Sequence, residues 1–142
     1  MIQVVIVDDH ELVRTGFRLI IEQQADIKVV GEAADGEQGL ALLRKLEPDV
    51  AIVDLHMPGV SGIEVTERVR KLKLKTRIII VTMVSEAPFP RRLLEAGASG
   101  YITKSCPAPE LQRAVRQVAD GRRYLAPGIA EAMALGAIDG SV

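Results

Sequence analysis

Two acidic residues, Asp8 and Asp9, follow the apolar run at residues 4–7, and a third carboxylate, Asp54, follows the run at 50–53. Thr82 closes the run at 78–81, and Lys104 stands just past the shorter run at 101–102. Singly, each has a plain explanation as a helix cap, a turn residue, a strand end or a solvated loop lysine. Together they give four apolar segments that each end in a group suited to one metal ion and one phosphoryl group. Gathered carboxylates repel one another, and such a cluster usually holds a hard cation on oxygen. Mg²⁺, with Mn²⁺ as a substitute, suits one or two carboxylates, waters and a substrate phosphate. With Asp8 and Asp9 on the cation, Asp54 is free to attack phosphorus and form an acyl phosphate. In such a transfer the protein mainly positions groups and neutralises charge on the equatorial oxygens. The metal, the Lys104 ammonium and the Thr82 hydroxyl fill those parts.

The five groups meet only if the chain folds to bring them together. Short Val/Ile-rich runs at 4–7, 27–30, 50–53, 78–81 and 101–102 alternate with longer stretches of helical periodicity. The first, third and fourth runs are continuously apolar, as strands covered on both faces of a parallel sheet must be, so the second and fifth are the edges. Leu12, Val13, Gly16, Phe17, Ile20 and Ile21 mark a first amphipathic helix, and Leu40, Leu43 and Leu46 a second, with Asp35 as its N-cap. Ser61 and Glu64 read as a capping box opening a third helix through Ile63, Val65, Val69 and Leu72. A fourth runs over 90–96 and ends at Gly97, and a fifth starts near Pro107 and stops before Gly121. Strict β–α alternation predicts an α/β fold with a doubly wound five-stranded parallel sheet, helices on both faces and right-handed crossovers. Ligands of such folds bind beyond the carboxyl ends of the strands, where all five groups lie. Past Gly121 the alternation breaks, so 121–142 read as a linker with at most one Ala-rich helix near 129–137.

Composition narrows the classes further. A chain of 142 residues suits one domain, and 18 basic against 19 acidic side chains argue against a surface devoted to nucleic acid or anionic membrane. With 3% aromatic residues and no Trp, the stacking platform of single-strand binders is missing. The single cysteine, Cys106, excludes an internal disulfide. No basic leader or membrane-length apolar stretch occurs, so the expected setting is cytoplasmic, with no membrane partner.

The segments VVIVDDHELVRTG, VDLHMPGVSGIE, IIIVT and EAGASGYITK resemble the receiver domain of two-component response regulators through nearly all of residues 1–120. The strand order 2-1-3-4-5 comes with that resemblance. VDDHELVR, AGASGYITK and GRRYL resemble the NarL/FixJ receivers that precede a LuxR-type helix-turn-helix, and APFPRRLLEAGASGYITKS is similar to the GacA/UvrY-type global regulators. The resemblance implies that Asp54 accepts phosphate from a sensor histidine kinase or phosphotransfer protein. It implies Mg²⁺ held by Asp9, Asp54, the main-chain carbonyl of His56 and, through water, Asp8. Lys104 then pairs with the phosphoryl oxygens, Thr82 swings toward them and Tyr101 follows inward. The fourth helix, fifth strand and fifth helix form the output face, with Arg91 and Arg92 placed to join two receivers in a phosphorylation-dependent homodimer. The protein is then no enzyme but a phosphoacceptor that assists its own phosphorylation and slow dephosphorylation. Residues 1–120 form the receiver and 121–142 lead toward a DNA-binding domain absent from this chain.

Other residues carry less. His10 and His56 lack the spacing of a histidine metal pair. Cys106, just before a helix, sits where a thiolate is favoured, yet has no partner for redox chemistry. The basic run RVRKLKLKTR at 68–77 reads as a solvated helix end rather than a phosphate-binding patch. Ser105 stands where many receivers carry proline, and Pro88 and Pro90 stiffen the approach to the fourth helix. A stand-alone receiver is the nearest alternative. An aspartyl-phosphate phosphohydrolase lacks its Asp-x-Asp pair here, because His56 takes the second position. A nucleotide binder lacks both glycine-rich phosphate loops after the first strand.

Overall fold

The central strands of the described residues are apolar on both sides because helices cover both faces of one sheet. The computed structural model describes residues 1–83, 91–131 and 134, with Arg91 and Leu94 described in backbone alone. Its elements are β1 (Ile2–Val7), α1 (Glu11–Ile21), β2 (Ile27–Ala33), α2 (Gly36–Leu46), β3 (Val50–Asp54), α3 (Gly62–Lys71), β4 (Arg77–Thr82), α4 (Arg91–Glu95), β5 (Gly100–Thr103), α5 (Ala108–Ala119) and β6 (Tyr124–Leu125). The strands pair in parallel in the order β2-β1-β3-β4-β5-β6. Alternate residues of β1 serve opposite cores: Val5 and Val7 join Leu40, Leu43 and Val65 on one face, while Val4 and Ile6 join Phe17, Ile21, Leu111 and Val115 on the other.

The expected order 2-1-3-4-5 holds, but the sheet has a sixth strand, and β5 is therefore not an edge. Tyr124 N–H donates to the Ser99 carbonyl and Ala126 N–H to the Tyr101 carbonyl, both at 3.0 Å. Ala126 and Ile129 are buried in the core on the α2/α3 face. The segment expected to be a linker thus begins by adding a strand and two core side chains. Two residues of strand carry no periodicity, so the pattern gives no sign of it. Backbone at 127–131 and at 134 is helical, and the remainder of the expected Ala-rich helix lies outside the described residues.

Local signals match the helix boundaries. Asp35 accepts from Gln38 N–H at 2.8 Å and Ser61 Oγ from Glu64 N–H at 3.2 Å, satisfying the first turns of α2 and α3. Gly97, at φ +81, ends α4 in the left-handed conformation that suits glycine. Gly62 opens α3 hard against β3: a Cβ there would lie 2.4 Å from the Asp54 carbonyl oxygen. Glycine at that point lets the turn after β3 close under Asp54. The readings on Pro88 and Pro90 lie outside the described residues.

Candidate functional site

Parallel register delivers the predicted groups to one edge. Asp54 ends β3 opposite Val81, and Thr82 ends β4 opposite Thr103. Lys104 follows at once, its N–H donating to the Thr82 carbonyl at 3.1 Å. Asp8 is tied to β2 through a 3.0 Å bond from its N–H to the Ala33 carbonyl. Asp8, Asp54 and Thr82 are buried at 2%, 4% and 1% exposure, while the Asp9 side chain is 30% exposed. The pocket thus pairs a buried floor with a rim open to a ligand.

The Lys104 ammonium lies 3.1 Å from Asp54 Oδ2, 3.6 Å from Asp8 Oδ2 and 3.3 Å from His10 Nδ1. Asp8 Oδ1 accepts from His10 N–H at 2.8 Å, and the Asp8 carbonyl from Arg14 at 2.6 Å. Asp8 Oδ2 is buried with no hydrogen-bond donor. Burial first, then the Asp8 charge, push the Asp54 carboxyl above its usual range, against the Lys104 hydrogen bond and charge and the His56 backbone N–H. Burial would lower the Lys104 ammonium, but its hydrogen bond to Asp54 and the charges of Asp54, Asp8 and Asp9 outweigh that and raise it. Lys104 therefore stays protonated.

One ligand atom from each of Asp8, Asp9, His10 and Asp54 lies within 4.8 Å of the others. Crowded carboxylates with an orphaned buried oxygen are the donor set that a divalent cation satisfies. The three predicted carboxylates therefore converge, and His10, which lacked the spacing of a histidine pair, converges with them. The useful neighbours of His10 are carboxylates from two strand ends rather than a second histidine. His56 has its side chain in solvent.

Tyr101 is buried, its hydroxyl donating to the Leu93 carbonyl of α4 at 3.0 Å. Cys106 departs from expectation: burial first, then Glu110, push its thiol up to about 11, so the thiolate is disfavoured. Arg92 forms a two-pronged pair with Glu67 of α3, at 2.6 and 3.1 Å. Nearby, Arg70 donates to the Glu95 carbonyl at 3.1 Å, capping α4. This α3–α4 seam went unread in the sequence, because its partners stand 25 residues apart with no shared pattern. Arg70, Arg68 on Glu64 and Arg77 on the Ala119 carbonyl give three of the basic-run residues structural partners.

The family model described as the response regulator receiver domain matches residues 4–116. The chain belongs to that family. The receiver is 44% identical over 135 residues to the response regulator GacA of Pseudomonas aeruginosa, covering 95% of this chain. It is 43% identical over 139 residues to the response regulator UvrY of Escherichia coli, covering 98%. The chain spans 63% and 64% of the lengths of these two relatives. Among solved structures, a LuxR-family two-component response regulator from Aurantimonas superimposes with a TM-score of 0.84 at 38% identity, covering 96% of this chain and 97% of that one. No helix among the described residues of the receiver is long and apolar enough to cross a membrane.

Proposed function

We propose that Asp54 is the phosphoacceptor, taking a phosphoryl group from the phosphohistidine of a sensor kinase or phosphotransfer protein in the cytoplasm. An Asp54 carboxylate oxygen bonds to phosphorus as the P–N bond breaks, and the donor imidazole keeps the electron pair. The observation that carries this reading is Asp54 at the end of β3, buried and held by Lys104 at 3.1 Å beside the orphaned Asp8 oxygen. Asp8, Asp9, Asp54 and the His56 carbonyl would hold Mg²⁺, or Mn²⁺ in its place, which when bound neutralises charge on the phosphoryl oxygens.

Lys104 pairs with Asp54 and is placed to move onto a phosphoryl oxygen once Asp54 carries the acyl phosphate. Thr82, one register position from Lys104, supplies the hydroxyl that answers the new charge. Tyr101, joined to Leu93, carries the change to α4 and from there to the α4–β5–α5 face. The receiver of residues 1–120 is extended by β6, Ala126 and Ile129, and the chain beyond them leads toward a DNA-binding domain. Phosphorylation then promotes a homodimer through α4–β5–α5, and Arg91→Glu weakens that association in sedimentation runs.

The test is intact mass after incubation with acetyl phosphate and Mg²⁺. Wild type should gain about 80 Da, one phosphoryl group, and Asp54→Asn or EDTA should abolish the gain. A gain that survives Asp54→Asn overturns the assignment.

A further inference from the structure

We propose that Arg14 of α1 is a positioning residue for the cation: it fixes the peptide between Asp8 and Asp9, so that the Asp9 carboxylate is presented to the metal. The inference rests on the metal-site reading above and adds a residue that bonds to backbone rather than to a ligand carboxylate.

Arg14 Nη1 donates to the Asp8 carbonyl at 2.6 Å, the short distance of a charge-assisted hydrogen bond. Its Nε faces Glu32 Oε1 at 3.5 Å, with the two side chains 16% and 24% exposed. Arg18 holds the other oxygen of Glu32. Glu32 stands on β2 opposite Ile6 of β1, so the guanidinium is anchored to the sheet on one side and grips the Asp8 carbonyl on the other. Helical geometry accounts for the reach. Side chains of a helix point back toward its N-terminus, and Arg14, whose N–H donates to the His10 carbonyl in the first turn of α1, therefore lies over the residues that precede the helix.

The Asp8 carbonyl and the Asp9 N–H belong to one planar peptide, so holding the carbonyl sets the plane from which the Asp9 side chain departs. Asp8 has further anchors, its N–H on the Ala33 carbonyl at 3.0 Å and its Oδ1 under the His10 N–H at 2.8 Å. Asp9 stands past the end of β1 with its side chain 30% exposed, where the sheet no longer dictates its direction. A carbonyl partner also leaves every carboxylate oxygen open to the cation. Lys104 does the opposite: it sits on Asp54 Oδ2 at 3.1 Å, in reach of the same ligand atoms. Arg14, tied to Glu32, is the fixed cation of the site, and Lys104 the movable one.

Groups that orient a metal's ligands without touching the metal typically contribute tenfold to a hundredfold in affinity. Arg14→Met keeps the apolar stem and removes the donor. Titration calorimetry of the 142-residue chain with MgCl₂ should show Arg14→Met binding about tenfold more weakly than wild type. Arg14→Lys, which restores a charged donor to the carbonyl, should recover most of that loss. Arg18→Met removes an ion pair to the same Glu32 and leaves the Asp8 carbonyl bonded, so its affinity should stay within about twofold of wild type. Phosphorylation by acetyl phosphate should slow in Arg14→Met at limiting Mg²⁺ and return to the wild-type rate at saturating Mg²⁺.

A merely structural Arg14 would lower the urea midpoint while Mg²⁺ affinity stays at the wild-type value, and that result overturns the proposal. So does an equal loss of affinity in Arg18→Met, or a rate that saturating Mg²⁺ does not restore. Asp9→Ala and Asp54→Asn separate the two levels. If they leave Mg²⁺ binding unchanged, the metal-site reading itself fails. If they abolish it while Arg14→Met binds as wild type does, only the present inference fails.

Discussion

Asp8 shows how a receiver trades stability for a binding site. Its side chain is buried, one oxygen lacks a donor, and Asp9 and Asp54 add like charge that Lys104 only partly offsets. A buried polar group without a partner costs about 1–3 kcal/mol, more when charged. Asp8→Asn should therefore stabilise the chain in EDTA by about 1 kcal/mol or more and abolish the stabilisation that Mg²⁺ confers on wild type. A site held at a hundredfold excess over its dissociation constant gains about 2.7 kcal/mol, well within reach of urea unfolding. Equal stabilisation of both proteins by Mg²⁺ would place the ion elsewhere. At this scale the sequence was legible where a polar residue ends an apolar run, as Asp8, Asp54 and Thr82 do. His10 was not, because its partners are carboxylates brought together by β1 and β3, and histidine spacing says nothing about them.

Among the elements, β6 is the one that pattern could not reveal. It is held by the backbone bonds from Tyr124 to Ser99 and from Ala126 to Tyr101, by Ala126 and Ile129 in the core, and by the Tyr124 hydroxyl, which donates to Glu110 Oε1 of α5 at 2.9 Å. Burial first, then Glu110, push the Tyr124 phenol from 10 up to about 12. A phenol titrating near 10 when unfolded and near 12 when folded binds its proton more tightly in the native state. Its contribution is thus whole below pH 10 and is lost as the pH rises to about 12. Tyr124→Phe should cost about 1 kcal/mol at neutral pH, and the gap to wild type should narrow across that alkaline window in urea midpoints. A gap that does not change with pH would show that the hydroxyl does not hold β6. The longer elements were readable because each repeats a period over four or more residues and is closed by a signal such as Ser61, Asp35 or Gly97. β6 is too short to repeat anything, and the α3–α4 seam depends on pairs distant in sequence.

Across the whole molecule, the chemistry and its readout share one sheet. Thr82 and Thr103 are register partners, Tyr101 bonds α4 through Leu93, and the Tyr101 carbonyl accepts from Ala126 beyond β6. A charge arriving at Asp54 is therefore linked through β4 and β5 to both α4 and β6, whereas α2 packs on the far side of β1. Because Tyr101 is buried and bonded to Leu93, we expect the switch to act on the grip of α4 and β6 on β5. Two-state devices of this kind move when a ligand favours one arrangement by a few kcal/mol. Hydrogen exchange with and without acetyl phosphate and Mg²⁺ should accordingly change at the amides of 92–96, 101–104 and 124–126, while the buried amides of β1 and β3 keep their rates. Thr82→Ala should leave the added phosphoryl mass in place and remove most of that change, because it breaks the relay and spares the acceptor. Changes confined to α1 and α2, or a full response in Thr82→Ala, would show that the signal leaves the site by another route.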